Sequence, residues 1–350
     1  MIKLKLPRLS FRAGTAGFGL ATAALFAIAL TLGIADIGFR RIWGEVSSVG
    51  FGLVGIILVH LGQLAFCALA WNALVSEVRP AGSGGPRLGA LFVLRWTRES
   101  IDSLLPVAQV GGEIVAARLL TRQGLTLPVA GASIIADVTI ETLTQAVFTL
   151  IGLALLFVLA EPGDVAHWAA LGLAIAVAFA SLAVFAQRWG GVRIFEKLLL
   201  GIAERTGWNR LEGVAGLDST LTRVYQLRGK LFMAGLHHLA AWSLGAGEVW
   251  IAARALAYHL DLGQAYVIES LAQAIRSAAF FVPGAVGVQE GGFIVLAGLF
   301  GIPVDAAVSI SLTKRVRELA LGLPGVIEWQ AREHRLRRLR HGATKGADPA

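Results

Sequence analysis

The sequence predicts an all-α, polytopic integral membrane bundle of about six full spans, with two opposed re-entrant or broken-helix segments. Three observations predict it. Hydrophobic residues make up 56% of the 350 positions and charged residues only 15%, against about 45–50% and about 25% in soluble domains. Several stretches reach the ~20 apolar residues that cross a bilayer. The remaining ionisable residues fall into two similar Gly/Pro-broken segments. With a single cysteine, Cys67, no internal disulfide is possible.

The first span covers about 17–37, preceded by Lys3, Lys5, Arg8 and Arg12 with no acid, and reads as a retained signal anchor. The second covers about 50–75 and carries His60, Gln63 and Asn72; a Gly-rich loop, 79–86, then breaks the pattern. A short apolar segment, 88–94, leads into a charged run, and 100–120 is too polar and too short for a lipid-facing span. Residues 127–160 are long enough to cross with tilt or to contain a break, although they hold Asp137 and Glu141. A clean span follows at 165–187, then a basic amphipathic stretch, 188–230, suited to the cytoplasmic interface. Residues 231–256 form the fifth span and 304–329 the last, interrupted by Lys314, Arg315, Arg317 and Glu318. Residues 1–330 thus form one membrane domain, and 331–350 a basic, flexible cytoplasmic tail.

Charge sets the expected orientation. Of the 31 basic residues, 22 lie at the N-terminus, in 76–100, in 188–230 and in the tail, all on one side if the chain crosses six times. Both termini are therefore expected in the cytoplasm. The net charge of +8, which in a soluble chain would suggest nucleic acid, becomes a topology signal, and nucleic acid is not an expected partner.

The two broken segments align when Pro106 is set on Pro283. Seven residues later stand Glu113 and Glu290; thirty-five residues later stand Glu141 and Glu318. Glycine pairs flank the nearer acids, Gly111-Gly112 and Gly291-Gly292, and Asp137 in one copy meets Lys314 in the other. The first unit spans about 88–160 and the second about 265–330; each follows a loop on a different side, so the copies are expected to be inverted, a recurrent transporter plan.

Two signatures, 95–113 (ending Gln109-Val110-Gly111-Gly112-Glu113) and 281–292 (Phe281-Val282-Pro283 through Gln289-Glu290-Gly291-Gly292), with Lys314-Arg315-Val316-Arg317-Glu318, resemble those of the flippase-like membrane domain of the lysylphosphatidylglycerol synthases. The closest resemblance is to hopanoid-biosynthesis-associated membrane proteins of the HpnL type. The resemblance implies a multi-pass protein of the bacterial inner membrane that moves, or helps move, a lipid: a hopanoid, a phospholipid or a polyprenyl-linked lipid. It implies no aminoacyl transfer, since no soluble transferase domain accompanies the spans.

Ionisable residues at membrane depth are costly and mark either a site or a structural pairing. Glu113 and Glu290, with Gln109, Gln289, Arg118 and Arg276, are the expected lining of a lipid-headgroup groove. The competing reading is that each glutamate caps a broken helix. Asp137 and Glu141, four apart, share a helix face, as do Lys314, Arg317 and Glu318; the two faces are expected to pair across the interior, or else to hold an anionic headgroup through arginine. Pro106 and Pro283, with the glycine pairs, are the expected helix breaks. Neighbouring His237 and His238 diverge on a helix, so no metal site is expected, and no Walker or dinucleotide motif calls for a cofactor. A lipid-modifying transferase and a scaffold for other hopanoid-pathway membrane proteins remain alternative functions. The oligomeric state is open.

Overall fold

The structure is a computed structural model, and it describes residues 47–78, 85–105, 111–159, 216–278 and 287–345, with single positions at 44, 172 and 285 and side chains as far as 333. The expected spans at 17–37 and 165–187, most of the 188–230 segment, and Pro106, Gln109 and Pro283 lie outside the described residues.

Nine helices are described, and no strand occurs among the described residues: α1 Phe51–Val78, α2 Leu88–Leu104, α3 Gly111–Thr121, α4 Leu127–Leu159, α5 Leu217–Gln226, α6 Arg228–Ala255, α7 Leu262–Ala278, α8 Val288–Gly298 and α9 Val304–Lys345. The protein is an all-α polytopic membrane protein. α1 and α4 are long and apolar enough to cross a bilayer. At 1.5 Å per residue the 33 residues of α4 reach about 50 Å, beyond a hydrocarbon core of about 30 Å. Of the two alternatives, a tilted span or a broken one, it is the unbroken helix.

α3 and α8 have 11 residues each, about 16 Å, half of what a span needs. Each follows a helix of 17 residues, α2 or α7, and precedes a long one. The starts of α3 and α8 are 177 positions apart, as are those of α4 and α9, the spacing of the two prolines in the sequence. The described parts of α2 and α7 end at Leu104 and Ala278, before the two prolines in the sequence.

Two apolar clusters hold the bundle. One joins α1 to α2, α3, the first half of α4, and α5 through Trp71, Leu74, Leu91, Leu94, Leu120 and Ile134. The other joins α1 and the second half of α4 to α6, α7, α8 and α9 through Ile56, Leu156, Val249, Ile268, Phe293 and Ile310. Each contains one half-length helix. Large apolar side chains left outside the core, such as Phe51, Leu58, Phe157 and Phe232, give the outer surface the character of a lipid-facing wall.

Three features differ from expectation. α9 continues to Lys345 rather than ending near Gln330 in a flexible tail. α5, inside the expected amphipathic stretch, buries Leu217, Leu221 and Val224 on one helical face. Finally, Arg95 and Arg98, counted by sequence with a cytoplasmic loop, are buried, because α2 carries them into the bundle. They belong with the interior charges and not with the loop tally that sets orientation.

Candidate functional site

α2 contributes its charged residues at positions 95, 98, 99 and 102, three to four apart and so on one face. That face turns inward. Arg98 donates through Nε to Glu113 Oε1 (3.0 Å), through Nη1 to Asp137 Oδ2 (2.7 Å) and through Nη2 to Glu141 Oε2 (3.1 Å). Arg95 forks onto both Glu141 oxygens at 2.8 and 2.5 Å, the bidentate geometry that guanidinium favours. His238 Nε2 lies 2.9 Å from Asp137 Oδ1. Asp102 Oδ1 accepts the Gly112 N–H at 2.8 Å, capping α3. A Cβ at Gly112 would collide with the Arg98 carbonyl and the Asp102 carboxylate, so glycine is required for this approach of α3 to α2.

The second half is built the same way with other residues. Arg276 of α7 donates to Glu318 Oε1 (2.5 Å) and Gln289 Oε1 (2.9 Å), and Gln289 in turn donates to Ser311 Oγ (3.1 Å). Arg315 reaches Glu318 (3.0 Å) and Glu290 (3.2 Å). Lys314 pairs with Glu269 at 2.5 Å and Arg317 with Glu248 at 3.1 Å. Glu290 also accepts the Gly287 N–H at 2.7 Å, capping α8.

Between the halves lies a cavity of about 300 Å³, at the small end of ligand sites: room for a headgroup, not for a whole lipid. Seven carboxylates (Glu99, Asp102, Glu113, Glu141, Glu248, Glu269, Glu318) and five cations (Arg95, Arg98, Arg276, Lys314, Arg317) line it, together with His60. Glu113 Oε2, Arg95 Nε and Arg317 Nε are buried there without a hydrogen-bond partner among the described residues.

Of the groove residues expected from sequence, Glu113 and Arg276 line the cavity, and Gln289 stands behind Arg276. Glu290 does not line it; its carboxylate is taken by the α8 cap and Arg315. Arg118 does not line it either: it pairs with Glu333 of α9 at 2.5 Å. The expected pairing of the Asp137/Glu141 face with the Lys314/Arg317/Glu318 face does not occur, because α2 packs against α9 and supplies the arginines that Asp137 and Glu141 take. The glycine pairs are not equivalent: Gly112 is sterically required, whereas a Cβ at Gly291 would meet open space and one at Gly292 only ordinary contacts.

Sequence reasoning did not select Arg95, Arg98, Glu99, Asp102, His60, Glu248 or Glu269 as site residues. The signal was present: a period of three to four in the charges of α2 and isolated ionisable residues within otherwise apolar helices. Cys67, Glu141 and His238 place ligand atoms within 4.8 Å of one another. They suit a metal poorly, because both Glu141 oxygens are already held by Arg95 and Arg98, and two guanidinium charges oppose a divalent cation there.

A 310-residue stretch, 16–325, matches the family model described as the lysylphosphatidylglycerol synthase TM region. The chain belongs to this family. No curated protein and no solved structure matches it. The family is one of membrane domains connected with lipids, and the buried polar cavity inside an apolar bundle is the feature for which a lipid function must account.

Proposed function

We propose that this chain is a lipid translocator or lipid-transport protein of the bacterial inner membrane, which takes a headgroup into the central cavity while the tails stay in the bilayer. The observation that carries the reading is the cavity itself. A dozen ionisable groups gathered inside an apolar bundle, eight of them buried, are costly to keep, and some of their hydrogen-bonding positions are unpartnered among the described residues.

The seam between α2 and α9 is the route by which the tails stay outside. A narrow void lined by Trp96, Glu99, Ser103, Arg317 and Gly322 adjoins the cavity. Beyond Trp96 an open groove of about 400 Å³ runs past Val93, Pro324, Ile327 and Ala331. We read the two units with half-length helices as inverted copies meeting near the midplane, as in transporters, and both termini as cytoplasmic.

The pairing inside the cavity favours one kind of headgroup. The lining arginines are already engaged by carboxylates. A phosphate would have to displace those carboxylates, while hydroxyl or amine donors would find acceptors. A hydroxylated or amino-bearing hopanoid fits this chemistry, and so does a phospholipid whose distal group is a donor.

The test uses purified protein in liposomes and tail-labelled hopanoid, phospholipid and polyprenyl-linked lipid. Wild type accelerates transbilayer movement of at least one. Glu113→Gln slows it, whereas Glu290→Gln, off the cavity, retains most of the rate. No acceleration of any of the three lipids sinks the transport reading.

A further inference from the structure

His60 of α1 stands at the point where the cavity meets the α2/α9 seam. Its Nδ1 lies 3.0 Å from Glu248 Oε1 of α6, and its Nε2 lies 2.7 Å from Glu99 Oε1 of α2. Arg317 Nη1 of α9 lies 3.2 Å from that same Nε2. Arginine only donates, and an ionised carboxylate only accepts. One nitrogen cannot serve both. With its proton, Nε2 donates to Glu99; without it, Nε2 accepts from Arg317, while Nδ1–H still serves Glu248.

The surrounding charges make the two states distinct. Gln63 of α1 also donates to Glu248 (2.5 Å), and Lys314 of α9 lies 3.8 Å from Glu248 and 2.5 Å from Glu269. Glu318 of α9 lines the same gap. With a charged imidazole, Glu99, Glu248 and Glu269 balance His60, Lys314 and Arg317. Without it the ion pair left to Glu99 among the described residues is Arg95, 3.9 Å away. Glu99 is the most accessible of these acids, with a third of its side chain exposed, so a headgroup donor entering the cavity can take the place that the imidazole leaves.

We propose that His60 is a proton-binding site that decides whether α1 is tied to α2 or to α9, and thereby whether the seam is closed or open. The charged form is the closed, observed one. Glu99 is flanked in sequence by the two residues that close the seam. Trp96 Nε1 donates to the Leu321 carbonyl at 2.9 Å, and Ser100 packs so tightly on Gly325 that a Cβ there would overlap it. Pro324 lies inside α9 at this level and leaves the Ala320 carbonyl without its helical donor, a place for the helix to flex. Proton release frees Glu99 and loosens α2 from α9. The site itself stands on this geometry; its use in lipid movement rests on the transport reading.

The experiment reads the seam without relying on transport. The full chain, with Cys67→Ala, Ser100→Cys and Gly325→Cys, is placed in vesicles of phosphatidylcholine and phosphatidylglycerol. Copper-phenanthroline drives disulfide formation on either side of the ordinary histidine range of about 6.5. The same protein carrying His60→Gln corrects for thiol ionisation. A second pair, Trp96→Cys with Leu321→Cys, guards against a fold disturbed at Gly325. Relative to His60→Gln, the chain with His60 cross-links about fivefold more slowly at high pH than at low pH. A ratio that does not change with pH at either pair overturns the proton site. Movement of tail-labelled hopanoid, phospholipid and polyprenyl-linked lipid is measured in parallel under an imposed pH gradient. A pH-responsive seam with no lipid movement leaves the proton site standing and overturns the transport reading; lipid movement with an unresponsive seam does the reverse.

Discussion

Replacing Arg98 by glutamine removes three ionic hydrogen bonds at once, but the structure concentrates the damage on one partner. Asp137 keeps His238 at 2.9 Å, and Glu141 keeps the two-pronged Arg95. Glu113 has Arg98 as its ion-pair partner, and its other oxygen is already buried without a partner among the described residues. The substitution therefore strands about one buried carboxylate, which typically costs about 3–5 kcal/mol. In a chain of this size that corresponds to a fall in melting midpoint on the order of 10 °C. Size-exclusion chromatography of detergent-solubilised protein after stepwise heating measures it. Lys230→Gln is the comparison, since its pair with Glu77 is exposed and such pairs contribute about 0–1 kcal/mol. The double variant Arg98→Gln/Glu113→Gln regains most of the loss, because no charge is left stranded. An Arg98→Gln protein no less stable than Lys230→Gln, or a double variant no better than the single, refutes this account of the network.

Other outcomes follow from the same geometry. Trp96→Phe loses the bond to the Leu321 carbonyl and lowers stability by about 1 kcal/mol, seen as an earlier melting midpoint. Gly325→Leu forces α2 and α9 apart at Ser100; Cys67, buried in the cavity wall, then reacts faster with a membrane-permeant thiol reagent, and an unchanged rate argues against access through the seam. Zn²⁺ leaves the melting midpoint of wild type unchanged, because Arg95 and Arg98 hold Glu141; a rise abolished by His238→Ala would establish a metal site with Cys67.

Much of the fold was legible because membrane helices advertise themselves. The segment expected at 127–160 is α4, 127–159, and the one at about 50–75 is α1, 51–78. The spacing between Pro106 and Pro283 reappears as equal spacing between the starts of α3 and α8, and of α4 and α9. Asp137 and Glu141, four apart in the sequence, both point to the arginines of α2. What failed was the choice of partners. Arg95 and Arg98 sit in a segment of mixed composition, where a loop and a half-buried helix look alike to a hydropathy window. Glu113 and Glu290 occupy equivalent places by sequence, yet one lines the cavity and the other caps a helix.

That this chain is an α-helical membrane protein was readable from its amino acids alone, because apolar length and the need to satisfy every backbone group within the bilayer leave few other outcomes. Ionisable residues within otherwise apolar segments were readable too, since they are rare at depth. Which charge meets which was set by helix packing. Ion pairing depends on distances of a few ångströms between helices far apart in sequence, set by how α2, α7 and α9 pack. That packing engaged the arginines of α2, α7 and α9 with carboxylates and placed His60, one of three polar residues in an apolar span, between two carboxylates and an arginine.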